Sequence, residues 1–184
     1  MKPSVVFLDR DGVINRDSEA YVKNWSEFSF LPNSLKALRR LHENDCRCVV
    51  VTNQSAIGRG LATRADVERI HRKMSERVAE AGGRIQDIFY CPHVPADRCR
   101  CRKPEPGLVL RACRRLGIEP AATAMVGDSA RDIECALRAG CGATVLVRTG
   151  NGAGAEGELR QRGLPPGHVA EDLLEAALWL VGSR

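Results

Sequence analysis

Short apolar runs alternate with amphipathic segments along most of the chain, and this order limits the folds that the chain can adopt. The runs lack the apolar-polar alternation of a half-exposed strand, so we expect strands that are covered on both faces. Single helical patterns separate them, which is typical of parallel β-α-β units. The predicted strands are residues 5–8, 48–51, 85–90, 124–126 and 143–147. The sequence therefore predicts a doubly wound parallel sheet in a three-layer α/β/α sandwich.

Length and composition fit one ordinary globular domain over residues 1–184. The chain is 43% hydrophobic, which can build a core, and the segments between strands are too short for a large cap domain. No apolar run could cross a membrane, and the first residues lack the apolar region of a signal peptide. The modest net charge of +5 and the 4% of aromatic residues argue against a nucleic-acid partner. We expect a cytoplasmic monomer.

Reactive polar residues follow several of the predicted strands. Asp9 and Asp11 come directly after the first strand, and Asp128 comes after the fourth. Thr52 follows the second strand, and Lys103 lies in the loop that precedes the fourth. The carboxyl ends of parallel strands form one rim, where ligands of open α/β sheets bind. Neighbouring carboxylates repel each other, so their presence at this rim favours a bound cation or a chemical role.

These five residues suit phosphoryl transfer from a phosphate monoester. A Mg²⁺ ion held by Asp9 and Asp128 would neutralise the phosphate, because Mg²⁺ prefers hard oxygen ligands. Lys103 would add a point charge, and the Thr52 hydroxyl would bind another phosphate oxygen. Asp9 could then attack phosphorus and form an aspartyl phosphate. Asp11 would protonate the leaving oxygen and later activate water.

A second cluster lies in the loop at residues 91–103. Cys91, His93, Cys99 and Cys101 supply four soft or borderline ligands, a set that suits tetrahedral Zn²⁺. A reactive thiol pair is the alternative, but the spacing is not that of the C-x-x-C redox motif. Four protein ligands leave no position for substrate, so we expect a structural ion. It would fix the direction of Lys103, which follows two residues later.

The order of these motifs resembles that of the haloacid dehalogenase-like phosphatases over nearly the whole chain. The matching motifs are Asp9-x-Asp11-Gly12, Thr52-Asn53, Lys103 and Gly127-Asp128-x-x-x-Asp132. The resemblance implies that Asp9 is the nucleophile and Asp11 the general acid/base. It also implies Mg²⁺ bound by Asp9, Asp128 and the backbone carbonyl of Asp11, with Asp132 in a supporting role.

The zinc loop narrows the resemblance to two groups, the D-glycero-D-manno-heptose 1,7-bisphosphate 7-phosphatases and the histidinol-phosphate phosphatases. The segment Thr52-Asn53-Gln54-Ser55-Ala56-Ile57-Gly58-Arg59-Gly60 is closer to the heptose group, although Ala56 stands where a glycine is frequent. The zinc loop is short, as in the histidinol group. The resemblance implies that substrate contacts come from Lys103 and four further residues: Asn53, Gln54, Ser55 and Arg102. Arg59 and Arg148 are further candidates.

The expected function is therefore a Mg²⁺-dependent phosphatase with a small phosphorylated sugar as substrate. The resemblance implies removal of the 7-phosphate of heptose 1,7-bisphosphate during the biosynthesis of nucleotide-activated heptose for lipopolysaccharide or surface-layer glycans. Histidinol-phosphate phosphatase is the alternative within enzymes. A phospho-receiver domain would use a similar acid pocket without a zinc loop, and a zinc-containing nucleic-acid module would need a basic, aromatic face.

The glycine pattern near residue 152 and three isolated histidines predict structural rather than functional roles. Gly152-x-Gly154-x-x-Gly157 matches a dinucleotide-binding pattern, but too few residues follow it, so a flexible surface loop is expected. His42, His71 and His168 lack partners at ligand spacing, and we expect them on the surface or on a helix face. Small loops, namely residues 17–25, residues 56–61 and the zinc loop, are expected to control access to the pocket.

Overall fold

The computed structural model describes residues 2–182, which form one six-stranded parallel sheet with helices on both faces. The strands are β1 (Val5–Leu8), β2 (Arg47–Asn53), β3 (Ile85–Cys91), β4 (Thr123–Gly127), β5 (Ala143–Val147) and β6 (His168–Ala170). Across the sheet the order is β3-β2-β1-β4-β5-β6. The chain runs outward from β1 to β3 and then returns to β4 on the other side of β1. The topological switch point, where ligands bind in such sheets, therefore lies between β1 and β4.

Helices cover both faces of the sheet, which confirms the predicted three-layer sandwich. They are α1 (Ser34–Glu43), α2 (Arg64–Glu80), α3 (Gly107–Leu116), α4 (Ala130–Ala139), α5 (Gly152–Gln161) and α6 (Leu173–Val181). Helices α1, α2 and α6 pack on one face, and α3, α4 and α5 on the other. Strand β1 shows why the apolar runs do not alternate. Val6 and Leu8 enter the first core and Val5 and Phe7 the second, so every side chain is buried.

The predicted flexible loop over residues 152–157 is wrong, because this segment begins α5. Ala155 and Leu159, four residues apart, are buried with Ile133 of α4 and Leu146 of β5. Two buried apolar side chains among several glycines give too weak a helical period to detect, and the packing against α4 and β5 determines the structure. Strand β6 was also not predicted, since its three residues are too few to form a pattern.

Two irregular segments, residues 9–33 and 92–106, follow β1 and β3 at the carboxyl end of the sheet. Stacked rings anchor the first segment, where Trp25 and Phe28 have ring centroids 4.9 Å apart and Phe28 meets the edge of Phe30 at 5.0 Å. Neither segment forms a large cap domain, as expected. Among residues 2–182, no helix has both the length and the apolar character needed to cross a bilayer.

Candidate active site

A buried lysine joins two carboxylates at the switch point. The Nζ atom of Lys103 lies 3.0 Å from Asp9 Oδ1, at the end of β1, and 2.6 Å from Asp132 Oδ1, in the first turn of α4. Lys103 is only 2% exposed. Burial opposes its charge, but the two carboxylates outweigh burial and raise the pKa of Lys103. The ammonium group is therefore a fixed positive charge beside the predicted nucleophile.

Asn53 fixes the backbone of Lys103. Its side-chain Oδ1 accepts a hydrogen bond from the Lys103 backbone N–H at 3.0 Å, and its Nδ2 donates to the Lys103 carbonyl oxygen at 3.2 Å. Asn53 is the last residue of β2, so this amide links the loop that carries the lysine to the sheet. The side chain thus has a positional role that the sequence analysis missed, and its predicted contact with substrate stays a prediction.

Four hydrogen bonds hold the carboxyl group of Asp11. Its Oδ1 accepts from Arg10 Nε at 3.3 Å, from Arg10 Nη2 at 2.8 Å and from Asn15 Nδ2 at 2.9 Å. Its Oδ2 accepts from Gln54 Nε2 at 2.8 Å. Burial favours the neutral acid, but the charge of Arg10 and these donors outweigh burial and lower the pKa of Asp11. The predicted acid/base residue is therefore fixed in orientation.

The loop after β5 surrounds Asp128. The backbone N–H of Asn151 donates to Asp128 Oδ2 at 2.8 Å, and Asn151 Nδ2 approaches the same oxygen at 3.2 Å. Two positions that lie next to Asp128 in space require glycine. A Cβ atom added at Gly12 or Gly150 would lie 2.1 or 2.2 Å from Asp128 Oδ2, and both residues have positive φ angles. The backbone therefore approaches this carboxylate closely from two sides.

Three carboxylates form a donor set that fits Mg²⁺. Oxygen atoms of Asp9, Asp128 and Asp132 all lie within 4.8 Å of one another. Burial, together with the neighbouring carboxylates, raises the pKa of Asp9 to about 6 and that of Asp128 to about 8. A hard divalent cation would relieve this repulsion and stabilise both ionised forms. Asp132 also pairs with Lys103 and accepts from the Ser129 hydroxyl at 2.6 Å, which agrees with a supporting role. Coordination by the Asp11 carbonyl stays a prediction.

The four predicted zinc ligands come together at the end of β3, which contributes Cys91, and in the loop that follows it. Cys101 Sγ lies 3.3 Å from Cys91 Sγ, 3.5 Å from Cys99 Sγ and 3.3 Å from His93 Nδ1. All four ligand atoms lie within 4.8 Å of one another. Three sulfurs and one imidazole nitrogen at these separations fit a closed tetrahedral Zn²⁺ site. The Arg102 guanidinium donates to the His93 carbonyl oxygen at 3.1 Å, so the loop also holds this predicted substrate contact.

The carboxylates of the candidate magnesium site, Asp11 and Lys103 line one cleft of about 360 Å³, which suits a small sugar phosphate. Its walls include residues 17–19, Tyr21 and Val22 from the segment after β1. Arg59 contributes from the loop after β2, and Pro95 contributes from the zinc loop. All three small loops expected around the pocket therefore contribute to its walls, and their control of access stays a prediction.

The other predicted site residues differ in their surroundings. Thr52 is buried, and its hydroxyl accepts from Gln54 Nε2 at 2.9 Å, so the Gln54 amide nitrogen bridges Thr52 and Asp11. Ser55 is also buried and lines the cleft. Arg148 does not line it, because its guanidinium pairs with two glutamates, Glu156 at 3.0 Å and Glu171. Arg148 is therefore explained by surface ion pairs.

Several residues at or behind the cleft were not predicted. Arg131, in the first turn of α4, lines the cleft beside the predicted Arg59 and Arg102. Asn151 contacts Asp128, and Asn15 contacts Asp11. Of the two positions expected for His71, the surface or a helix face, the structure shows the second, because the residue lies on a face of α2 that is buried next to Arg10. Arg131 occupies an unspecified position of the Gly127-Asp128-x-x-x-Asp132 motif, and Asn15 lies four residues after Asp11, so local sequence carries both to the site. Only the tertiary fold brings Asn151 to Asp128 and His71 to Arg10.

Comparison with known proteins identifies the family. The HAD-hydrolase-like family model matches residues 100–176. D-glycero-beta-D-manno-heptose-1,7-bisphosphate 7-phosphatase of Bordetella bronchiseptica is 47% identical over 174 residues, which cover 94% of this chain and 95% of that protein. The chain belongs to the D-glycero-D-manno-heptose-1,7-bisphosphate 7-phosphatase family. The D-glycero-alpha-D-manno-heptose-1,7-bisphosphate 7-phosphatase of Mycobacterium bovis is 45% identical over 149 residues, covering 79% of this chain and 78% of that protein.

A solved structure from this heptose phosphatase family supports the fold. The crystal structure of D,D-heptose 1,7-bisphosphate phosphatase from Bordetella bronchiseptica, complexed with magnesium and phosphate, has a TM-score of 0.91 and 46% sequence identity, with 100% of both chains covered. The predicted fold class and the predicted enzyme class, a phosphoric monoester hydrolase, are confirmed. Membership in a phosphatase family argues against the two alternatives from other protein classes, a phospho-receiver domain and a zinc-containing nucleic-acid module.

Proposed function

We propose that this phosphatase removes the 7-phosphate of D-glycero-β-D-manno-heptose 1,7-bisphosphate in the biosynthesis of nucleotide-activated heptose. The observation that carries the proposal is a single cleft in which the Asp9 carboxylate, the Lys103 ammonium and the Asp11 carboxyl group meet. The sugar bisphosphate follows from the family. The β-anomer follows from the Bordetella bronchiseptica relative, which aligns with nearly the whole chain.

Charge neutralisation is the first task of this site, because a phosphate dianion repels an anionic nucleophile. Mg²⁺ held by Asp9 and Asp128, together with the Asp11 carbonyl, would neutralise phosphate oxygens when bound. Lys103 contributes a positive charge that its two carboxylate partners hold in place. The Thr52 hydroxyl lines the same cleft and can donate to a phosphate oxygen.

Phosphoryl transfer to Asp9 is the first chemical step. An Asp9 carboxylate oxygen attacks phosphorus, and the bond between phosphorus and the C7 oxygen breaks, with its electron pair leaving on that oxygen. In the free enzyme the charge of Arg10 and the hydrogen-bond donors outweigh burial and favour the ionised form of Asp11, whereas the negative charge of a bound phosphate opposes it, so Asp11 takes up a proton when the substrate binds. Asp11 transfers this proton to the leaving oxygen, so the sugar departs as a neutral alcohol. Asp9 then carries the phosphoryl group as a mixed anhydride.

Hydrolysis of the aspartyl phosphate completes the cycle. The Asp11 carboxylate, which has just lost its proton, takes a proton from water as the water oxygen attacks phosphorus. The bond between phosphorus and the Asp9 oxygen breaks, inorganic phosphate leaves, and both acids return to their starting states. One residue thus serves as acid and then as base, which requires the fixed orientation that its hydrogen bonds provide.

Three arginines suit the second phosphate of a bisphosphate. Arg59, Arg102 and Arg131 line the cleft, and none of them pairs with a carboxylate in the described part of the chain. Burial and then the charge of Arg131, with a smaller effect of Arg59, lower the pKa of Arg102. Guanidinium groups that repel one another in this way are relieved by a bound anion, and each can bind phosphate in a bidentate manner.

The zinc loop links a structural ion to this chemistry. Cys101 is followed directly by Arg102 and Lys103, so a Zn²⁺ ion at the cysteine cluster would restrict both cationic side chains. We further propose that residues 1–184 act as one domain, as a monomer in the cytoplasm. The eight free cysteines favour a reducing compartment, where thiolate ligands persist.

Phosphate release from a substrate panel tests the proposed function. The panel contains both anomers of heptose 1,7-bisphosphate, histidinol phosphate, fructose 1,6-bisphosphate and an aryl phosphate. We expect the highest kcat/KM for the β-heptose bisphosphate, with the 7-phosphate released. Asp9→Asn should abolish turnover while the thermal transition persists. A preference for histidinol phosphate would overturn the proposed substrate, and activity near the wild-type level in Asp9→Asn would exclude the proposed nucleophile.

A further inference from the structure

We propose that His71 is a positioning residue that acts through Arg10 on the carboxyl group of Asp11. The inference rests on the proposed role of Asp11 as general acid. It concerns a chain of contacts that starts at the cleft and ends on α2. His71 is not among the residues that line the cleft, so any effect that it has on the reaction must pass through another side chain.

Arg10 is the link, and its guanidinium is buried with a partner on each side. The residue is 1% exposed, and a charge at such a position is costly unless its N–H groups are paired. Nε and Nη2 donate to Asp11 Oδ1, at 3.3 and 2.8 Å. On the other side, Nη1 lies 3.3 Å from His71 Nε2. The orientation of this planar group is therefore fixed by an acid at one end and an imidazole at the other.

His71 meets Arg10 as a neutral acceptor. The residue is 5% exposed, and its ring packs against Tyr90 of β3 with 5.5 Å between centroids. Burial, and then the charge of Arg10, lower the pKa of His71 to about 3. A guanidinium group can only donate, so Nε2 of the neutral ring accepts the hydrogen bond and Nδ1 carries the ring proton.

This contact determines which oxygen of Asp11 can carry the transferable proton. Oδ1 already accepts three hydrogen bonds, two from Arg10 and one from Asn15. Oδ2 accepts one, from Gln54, so Oδ2 is the oxygen left to hold a proton for the leaving group. If the acceptor at His71 is removed, the Nη1 end of Arg10 is released and the Asp11 carboxyl can rotate. A shift of about 1 Å in a reacting group can cost up to ~10²-fold in rate.

The test compares two leaving groups. A sugar alkoxide needs the proton from Asp11, whereas p-nitrophenolate departs without one. Both reactions use the same nucleophile and the same phosphate site, so damage to either of these lowers both rates. Since kcat/KM includes only the steps up to the first irreversible one, hydrolysis of the aspartyl phosphate does not mask the result. The measurement is therefore kcat/KM for β-heptose 1,7-bisphosphate and for p-nitrophenyl phosphate.

The variants are His71→Leu, which lacks the acceptor, and His71→Gln, whose amide oxygen can replace it. We expect His71→Leu to lose about tenfold in kcat/KM on the sugar and less than about twofold on p-nitrophenyl phosphate. His71→Gln should restore the sugar value to within about twofold of wild type. His42→Leu, on the exposed side of α1, is the matched control and should change neither. Equal losses on both substrates, or no loss on the sugar, overturn the proposal.

Two further measurements keep the result decisive. If His71→Leu shows no cooperative thermal transition, His71→Asn takes its place with the same expectation, because its shorter amide cannot reach Arg10. Asp11→Asn separates the inference from the proposed function, since it should lose activity far more strongly on the sugar than on the aryl ester. No such preference in Asp11→Asn would overturn the general acid and the inference together. If Asp11→Asn loses more activity on the sugar than on the aryl ester but His71→Leu does not, the role of His71 is overturned and the general acid is retained.

Discussion

The two candidate metal centres, one in the cleft and one in the loop beside it, are built in opposite ways. The acid centre consists of carboxylates at the ends of β1 and β4 and in the first turn of α4, and protein groups hold each of them: Lys103 contacts Asp9 and Asp132, and Asn151 contacts Asp128. The zinc cluster is drawn from eleven consecutive residues, Cys91 to Cys101, whose regular structure after β3 is one short turn, Pro95–Asp97. Its ligands, apart from Cys91, are half-exposed.

This difference indicates what each ion contributes. The fold sets the geometry of the acid centre, so a magnesium ion there mainly supplies charge. The zinc loop has little apolar burial of its own, so a zinc ion there mainly supplies geometry. The two centres meet at Lys103, which lies two residues after Cys101 and contacts Asp9. We therefore expect that loss of magnesium stops catalysis while the fold stays intact. Loss of zinc should instead release the zinc loop.

The largest effect is expected for Lys103→Ala. This variant tests whether the ion pairs of Lys103 stabilise the acid centre when no metal ion is bound. Removing the ammonium takes the counter-charge from the buried Asp132 carboxylate and from the partly buried Asp9 carboxylate, which should lower the free energy of unfolding by about 3–5 kcal/mol. Loss of the charge beside the phosphate should lower kcat by about 10³-fold. Urea unfolding without magnesium and phosphate-release kinetics measure the two effects.

The control for this variant is Lys36→Ala, on the exposed surface of α1, which should change both quantities little. Unchanged stability in Lys103→Ala would show that the carboxylates do not depend on this ion pair. The acid centre could then no longer be described as held by the fold, in contrast to a zinc cluster that is held by its metal.

The next effect concerns the zinc loop and the variant Cys99→Ser. Loss of one thiolate should reduce bound zinc from about one ion per chain to a small fraction of it, as measured by elemental analysis. Without the ion, trypsin should cleave at the exposed Arg98 and Arg100, and kcat/KM should fall about 10–100-fold. The matched control is Cys141→Ser, a half-exposed cysteine outside the cluster, which should keep zinc and resist trypsin. Continued protection of the loop after zinc loss would contradict this prediction.

The sequence was sufficient where chemistry depends on local spacing. Asp9 and Asp11 follow directly from the end of a strand, and Asp128 follows in the same way from β4. The zinc ligands lie so close in sequence that they must be close in space. Lys103 was predictable because the cluster precedes it by two residues. For the strand-end carboxylates and the zinc ligands, the local backbone is enough to place the side chains, whereas the position of Lys103 also depends on the long-range amide contact with Asn53.

The residues that hold these groups could not be predicted in this way. The partners His71 and Arg10 are 61 positions apart, and Asn151 and Asp128 are 23 apart, so their contacts depend on how α2 and the loop after β5 pack. From sequence alone, Arg10, which stands between two acidic residues, is predicted to be a solvated charge. His71 is a single histidine in a helix, and nothing in the sequence indicates its partner. Helix α5 was missed for the same reason, since it is defined by burial against α4 and β5.

The smallest effect is expected for Asn151→Ala, which tests how far the acid centre depends on its surrounding loop. The substitution removes the Nδ2 contacts with Asp128 and with Asp17 Oδ2, both 3.2 Å, but keeps the shorter backbone N–H contact with Asp128. Magnesium affinity measured by calorimetry should therefore weaken only about tenfold, at the low end for a residue behind a metal ligand. Asn44→Ala, at the distant end of α1, should leave the affinity unchanged. A loss well beyond about 100-fold would mean that the loop after β5, rather than the strand ends, fixes the acid centre, and the two centres would then differ in ligand chemistry alone.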